Sequence, residues 1–343
     1  MMHLQDCLQR GNVYVIAEAG VNHNGDSAVA SKLIDAAAAC GVDAVKFQLF
    51  DPTELASVHA PKAEYQKQGS TGGSQVEMLQ SLTLPKEAYI TLAKRAGLQG
   101  IDFIVTPFDA ASARFLVEIG IDALKIPSGE ITNLPFLESV AALQKFTIIS
   151  TGMSILEEVE SAVRPFKSAN TPYALLHCVS SYPAPFEQIN LRAIELLRTH
   201  FSVPVGYSDH TEGTAVALAA AALGAGIIEK HFTLDRTLPG PDHAASLEPE
   251  ELARMVRDIR IVERALGKRE KRCQPCEENV RDVARRSLIL SRSLKAGQSI
   301  AREDIIIQRP GTGITPSALS SVIGKILKRD LQAGVILQHT DFQ

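Results

Sequence analysis

His210, His231, Lys46 and Lys125 each stand at the carboxyl end of a short apolar run. Neutral imidazoles that converge on one cavity are good ligands for a divalent first-row ion, and two of them leave coordination positions for water and substrate. In oxygen-rich surroundings such a pair suits Mn²⁺, Co²⁺ or Mg²⁺ better than it suits a closed structural zinc site. The same spacing also fits hydrogen-bonded core histidines with no ligand at all. A buried lysine must lose its charge or find an anion. Thr106-Pro107, Ser128-Gly129 and Ser150-Thr151-Gly152 fall at equivalent run ends. With the two lysines they could seat a polyanion such as a phosphorylated carboxylate. Glu18 and Glu130 end two of the runs and could neutralise the lysines, orient hydroxyls or move protons.

The elements that must position these groups follow from the pattern. Apolar runs cover 14–20, 43–48, 102–108, 123–130, 146–152, 173–178, 203–210 and 226–232, with helical periodicity between them. Asp26 is placed to cap a helix that Gly41 closes, and Asp109 and Gly120 repeat the device. Further helices are predicted over 134–143, 154–166, 190–199, 213–223 and 248–266. Strand–helix alternation with short links predicts parallel βα units, and eight of them predict a (β/α)₈ barrel with its active site at the carboxyl ends of the strands. Ionisable residues gathered there are costly unless paired or used, so the pattern points to an enzyme. The connection 51–84, rich in Gly, Ser, Thr and Gln around GSTGGSQ, reads as a lid or part of a binding site, or else as a disordered insertion.

The chain has 343 residues, more than one core usually serves. We expect a barrel over 1–268, a charged, partly helical linker over 269–286, and a small β-rich domain over 287–343. The net charge of −4 gives no general attraction to nucleic acid, and the absence of tryptophan removes the best base-stacking side chain. Five cysteines spread thinly suit a reducing compartment. Cys273 and Cys276 have metal-ligand spacing but no second such pair, so a solvated linker is the expectation there, and Cys178 reads as a small core residue. No apolar run approaches the roughly 20 residues of a membrane span, and no signal peptide is apparent. The expected location is the cytoplasm.

The tags AEAGVNHNGD, AVKFQ, TPFD, KIPSGE, STGM, HCVSSYPAP, GYSDH, EKHFTLD and GPDH follow one another along the chain. In that order they resemble the bacterial sialic acid synthases almost end to end. The segment KAGQSIAREDIIIQRPGTGI resembles their C-terminal antifreeze-like (SAF) domain. The resemblance implies condensation of phosphoenolpyruvate with the open-chain aldehyde of N-acetylmannosamine, releasing phosphate and forming a nine-carbon 2-keto sugar acid. It implies Glu18, Lys46 and Tyr182 as catalytic residues and His210 and His231 as ligands of a divalent metal, Mn²⁺ in this family. Lys46, Thr106, Lys125, Ser128, Ser150, Ser180 and Ser208 would hold phosphoenolpyruvate. Glu130, Tyr182, Asp242 and Arg309 would meet the sugar, with Arg309 reaching across a domain-swapped homodimer. Ser180, with SGEITNLP and GYSDHTEG, is similar to the synthases that turn 2,4-diacetamido-2,4,6-trideoxymannose into N,N'-diacetyllegionaminic acid, which makes that sugar the alternative acceptor. A Schiff-base aldolase using Lys46 or Lys125, and a non-catalytic carbohydrate-binding protein, are the competing expectations.

Overall fold

The computed structural model describes residues 3–57, 60 and 74–343 and divides into two compact units, Met1–Gly267 and Lys268–Gln343. In the first unit eight parallel strands close into a barrel in chain order. They are β1 (Tyr14–Gly20), β2 (Ala44–Leu49), β3 (Asp102–Pro107), β4 (Ala123–Ile126), β5 (Phe146–Ser150), β6 (Tyr173–Cys178), β7 (Val205–Asp209) and β8 (Ile227–His231). The expected runs become these strands with ends moved by a few residues. The largest change is at β4, where Pro127 has no backbone donor and Ser128–Glu130 curl into a 3₁₀ turn.

The connecting helices start and stop where their end residues allow. The Asp26 carboxylate accepts from the backbone N–H groups of Ala28 and Val29 at the start of Ser27–Ala39, and that of Asp109 accepts from Ser112 N–H at the start of Ala110–Glu118. Gly41, at φ +78°, takes the left-handed conformation that ends the first of these helices.

Side chains alternate along a strand with period two, and that sets the character of the barrel interior. Near the amino ends the inward positions are apolar: Tyr14 and Ile16, Ala44, Ile104, Ala123, Phe146 and Ile148, Ala174 and Leu176, and Ile227 form one buried cluster. The next inward position on most strands is polar, giving Glu18, Lys46, Thr106, Lys125, Ser150, Ser208 and Glu229, all buried. Gly206 is the inward residue of β7, where an added Cβ would stand 2.7 Å from Leu176 Cδ2. A short helix that the sequence did not announce, His3–Gln9, presses the fully buried Leu4 into the apolar cluster.

The connection 51–84 is not the loop expected from its composition. It carries the helices Pro52–Leu55 and Gln75–Ser81, the second begun by a capping box between Ser74 and Glu77. Ala56, Met78, Leu79 and Leu82 pack with Val21 and Phe50 in a small apolar cluster. Residues 58–59 and 61–73, with most of the GSTGGSQ stretch, lie outside the described residues.

The second unit holds the helix Glu278–Ala284 and an antiparallel pair, β9 (Ser287–Leu290) and β10 (Ile305–Gln308), around its own core. The apolar segment GVILQ (334–338) runs beside β9 through backbone hydrogen bonds to Leu288 and Leu290 and makes one isolated bridge, Ile336 to Ile289. All five cysteines are free thiols. No described helix is long and apolar enough to cross a membrane.

Candidate active site

A cavity of about 530 Å³ opens at the carboxyl end of the barrel. Its floor is the polar layer of strand ends, and one wall is apolar, formed by Phe50, Leu55, Ala56, Met78, Leu79 and Leu82. Of the residues anticipated from sequence, Glu18, Lys46, Thr106, Lys125, Ser128, Ser150, Ser180, Tyr182, Ser208, His210, His231 and Asp242 all line it.

Register explains the central cluster. Glu18 pairs with Lys46 across β1–β2 and with His231 across β1–β8, and Ser208 pairs with Glu229 across β7–β8. Lys46 Nζ lies 3.0 Å from Glu18 Oε2 and 3.5 Å from Glu229 Oε2, and it donates to Thr106 Oγ1 at 3.1 Å. Lys125 Nζ donates to Ser150 Oγ at 2.5 Å and to Ile126 O at 3.3 Å, with Glu229 Oε1 at 3.9 Å. The Ser208 hydroxyl donates to Glu229 Oε1 at 2.9 Å. Burial opposes the charge on Lys46, but Glu18 and Glu229 outweigh it and hold the ammonium on. Burial pulls Lys125 down, with one carboxylate nearby to resist. Glu229 is held ionised against burial by Lys125 and Lys46. Burial dominates at Glu18 and raises its carboxyl despite Lys46.

Glu229 is the residue that sequence reasoning missed, and the alternation of GIIEKHF already put it on the face that carries His231. It takes the part that the sequence offered to Glu130. Glu130 rides on the 3₁₀ turn after β4 and accepts from Asn133 Nδ2 at 2.7 Å, away from both lysines, so it does not neutralise them. Gln48 was also missed; its Nε2 donates to Glu18 Oε1 at 3.0 Å.

His210 and His231 follow on β7 and β8, their ring centroids 5.5 Å apart. His210 Nδ1 donates to Val179 O at 2.8 Å, which leaves the lone pair on Nε2. Burial, and then the neighbouring imidazole, brings His210 down to about 3; burial, and then Lys46, does the same for His231. Both rings are therefore neutral. His231 Nδ1 is buried with no hydrogen-bond partner among the described residues, with Asp242 Oδ2 at 3.8 Å. Two neutral imidazoles and an orphaned ring nitrogen beside a carboxylate fit a divalent ion. Among the described residues no group of three or more His, Cys, Asp or Glu side chains forms a metal cage, so such an ion would keep positions for water and substrate.

Loops complete the rim. The Tyr182 ring lies tilted against the His210 ring, with centroids 4.2 Å apart. Gly20 brings the chain past Glu18, Gln48 and Asp242, whose side chains an added Cβ would meet at 3.3, 3.3 and 3.5 Å. Burial and then Glu18 push the Asp242 carboxyl up to about 7. Gly152 N–H donates to Ser128 Oγ at 3.0 Å, and Ser128 also touches Cys178 Sγ at 3.1 Å. Arg309 belongs to the second unit, exposed just after β10.

Comparison with known proteins fits this geometry. The NeuB family model matches residues 33–271 and the SAF domain model residues 285–343. N,N'-diacetyllegionaminic acid synthase of Legionella pneumophila is 47% identical over 330 residues, covering 94% of this chain and 93% of that protein. The Campylobacter jejuni protein of the same name is 43% identical over 329 residues, covering 95% and 98%. The crystal structure of N-acetylneuraminic acid (sialic acid) synthetase from Leptospira borgpetersenii superposes with a TM-score of 0.72 at 38% identity, over 78% of this chain and 90% of that one. With a family match across most of the barrel and relatives that align almost end to end, the chain belongs to the NeuB family.

Proposed function

We propose that this protein joins phosphoenolpyruvate to the open-chain aldehyde of an N-acetylated aldose, releasing phosphate and forming a nine-carbon 2-keto sugar acid. One observation carries the reading: two buried lysines and their hydroxyl partners on β2 to β5 share a cavity with two neutral histidines, one just after β7 and one at the end of β8.

Lys46 and Lys125, with Thr106, Ser128, Ser150, Ser180 and Ser208, hold the phosphate and carboxylate of the donor by charge-assisted hydrogen bonds. NeuB-family synthases depend on a metal, and a divalent ion at His210 and His231, Mn²⁺ in this reading, would polarise the acceptor's aldehyde oxygen as a Lewis acid. Carbon 3 of the enol phosphate forms the new bond to the aldehyde carbon, and the aldehyde oxygen takes a proton. Carbon 2 then carries cationic character, which the carboxylates of Glu18 and Glu229 stabilise at short range. Water adds to carbon 2 and gives one proton to a nearby base, and as the carbon–oxygen bond to phosphate breaks the remaining hydroxyl proton leaves with the phosphate, so that the ketone is left. Tyr182, Glu130 and Asp242 are read as contacts of the sugar chain. Residues 1–268 are the catalytic domain in this reading, 269–286 the linker and 287–343 the accessory domain, which serves a second copy in a homodimer through Arg309. A cytoplasmic location goes with a substrate made inside the cell.

Two acceptors fit the reaction, N-acetylmannosamine and 2,4-diacetamido-2,4,6-trideoxymannose. The second is favoured by the names of the Legionella and Campylobacter relatives and by the apolar wall of Leu55, Met78, Leu79 and Leu82. Such a wall suits the methyl of a 6-deoxy sugar and a second acetyl group better than it suits hydroxyls. Phosphate release from phosphoenolpyruvate, measured with Mn²⁺ and each sugar in turn, tests both levels. Release that requires metal and acceptor supports the condensation, and a higher kcat/KM for the trideoxy sugar supports that assignment. A higher value for N-acetylmannosamine makes the protein an N-acetylneuraminate synthase, and no release with either sugar refutes the reading.

A further inference from the structure

The layer outside the two histidines holds a charged pair that the proposed chemistry does not touch. Asp209 immediately precedes His210 and Lys230 immediately precedes His231, and the two are register partners across β7 and β8. Alternation turns them away from the cavity, into the layer between barrel and helices. Their side chains are 0% and 1% exposed. Lys230 Nζ donates to Asp209 Oδ2 at 2.8 Å and to Thr211 O at 2.5 Å. Asp209 Oδ1 accepts from Tyr207 OH at 3.2 Å, from Thr211 N–H at 2.9 Å and from Thr211 Oγ1 at 2.8 Å.

The peptides on both sides of Thr211, the residue that follows His210, are thereby tied to the pair that includes the residue next to His231. Asp209 fixes the backbone N–H of Thr211, and Lys230 crosses from β8 to the carbonyl of the same residue. A buried ion pair is seldom retained for stability, because apolar residues of the same volume usually do as well. What an apolar pair cannot supply is a directional link between the two strand ends. We propose that Asp209 and Lys230 are positioning residues that set the spacing of the His210 and His231 imidazoles and so the affinity of this site for a divalent cation. The inference rests on the metal role proposed above, and outer partners of metal ligands commonly change affinity roughly ten- to a hundredfold.

Lys230→Met alone strands a buried carboxylate, so the informative protein is the double variant Asp209→Asn with Lys230→Met. It keeps the side-chain volumes and an amide oxygen for Thr211 and Tyr207. Mn²⁺ binding is measured by calorimetry on the full chain, with the thermal melt of the metal-free protein as the control for folding and phosphoenolpyruvate binding as the control for the lysine seat. The expected result is a folded double variant that binds phosphoenolpyruvate like the parent and binds Mn²⁺ about tenfold or more weakly. A folded double variant with the parent's Mn²⁺ isotherm overturns the positioning role while leaving the metal site standing. If the double variant does not fold, Asp209→Asn alone, which keeps Oδ1 as an amide acceptor and loses the Oδ2 acceptor of Lys230, is read against the same two outcomes. A parent protein that binds no Mn²⁺, as His231→Ala is expected not to, overturns the metal reading itself.

Discussion

Gly152→Ala and Gly206→Ala are the same chemical change at two glycines of the barrel, and the structure assigns them opposite consequences. Neither glycine uses a positive φ, so alanine meets no backbone strain at either site, and the loss of unfolded-state freedom favours the fold by about 0.4–1 kcal/mol. At Gly206 the new methyl would overlap the backbone carbonyl oxygen of Ile227 and stand 2.6 Å from Ile227 Cβ. Strand backbone inside a closed barrel cannot move aside, so overpacking of roughly 1–3 kcal/mol is expected, seen as a lower melting temperature. At Gly152 the methyl would overlap Ser180 Oγ and stand 2.8 Å from both Cys178 Sγ and Ser128 Oγ. Those atoms end short side chains that can rotate away, so stability should hold to within about 1 kcal/mol. Rotation moves Ser128 and Ser180, however, and both are assigned to the donor. A displacement of about 1 Å in positioned groups costs on the order of 10²-fold in rate. Steady-state phosphate release should therefore give a kcat/KM for phosphoenolpyruvate about 10²-fold lower in Gly152→Ala, with an unchanged melt. A Gly152→Ala enzyme with the parent's kcat/KM for the donor would refute the assignment of Ser128 and Ser180 to the phosphoenolpyruvate seat.

Lys125→Met removes charge-assisted hydrogen bonds of about 1.5–3 kcal/mol, so the donor's KM should rise roughly ten- to a hundredfold with less effect on the acceptor; equal rises would deny Lys125 a specific place on the donor. His231→Ala should abolish turnover while circular dichroism stays that of the parent, and full activity in chelator-treated parent protein would sink the metal role. Leu82→Asn puts an amide into the apolar wall and should reduce the preference for the trideoxy acceptor over N-acetylmannosamine about tenfold or more, measured as the ratio of kcat/KM values. Arg309→Ala should raise the acceptor's KM well above any change in the donor's, and equal changes would make Arg309 structural.

The lysines and histidines were legible because each is an ionisable residue near the carboxyl end of an apolar run, where the twofold repeat of a strand gives its face. Glu229 was equally legible by that rule, two positions before His231 in GIIEKHF, but two further polar residues follow it, so it does not mark the end of the run. Glu130 fails for the converse reason: Pro127 ends β4, and the turn that follows takes Glu130 off the inward face. The Ser-x-x-Glu spacing of Ser74 and Glu77 is a helix-start signal that the Gly/Ser-rich composition of the connection masked, and the structure uses it as a capping box. Tyr182 and Asp242 lie on loops after β6 and β8, and no periodicity says where a loop brings its side chains. They were found through family resemblance, not through the pattern. GVILQ is apolar enough for a strand and does hydrogen-bond to Leu288 and Leu290 of β9, but only Ile336 and Ile289 form a bridge, since surroundings more than backbone preference set how far a ladder runs.

Three consecutive residues of β8 argue why so much of the site can be carried by so short a stretch. Glu229, Lys230 and His231 are all buried, and the pleat sends them in, out and in again. Glu229 faces both lysines and balances the cluster in the absence of a donor; without it, Lys125 would have no carboxylate within salt-bridge distance among the described residues. Burying charge costs far more than exposing it, so a cavity built to receive a polyanion needs its own counter-charge that can yield when the ligand arrives. Lys230 turns outward and finds Asp209, which removes a third cation from the floor while linking the strand that carries the other histidine. A shape-preserving exchange tests this division of labour: Glu229→Gln leaves the shape and the Ser208 hydrogen bond but removes the counter-charge. Donor binding measured without metal should then tighten, because phosphoenolpyruvate no longer competes with a resident carboxylate, while kcat falls roughly 10²-fold for want of the group that stabilises positive charge at carbon 2. Weaker donor binding in Glu229→Gln would mean that the carboxylate organises the lysines instead of competing with the ligand for them.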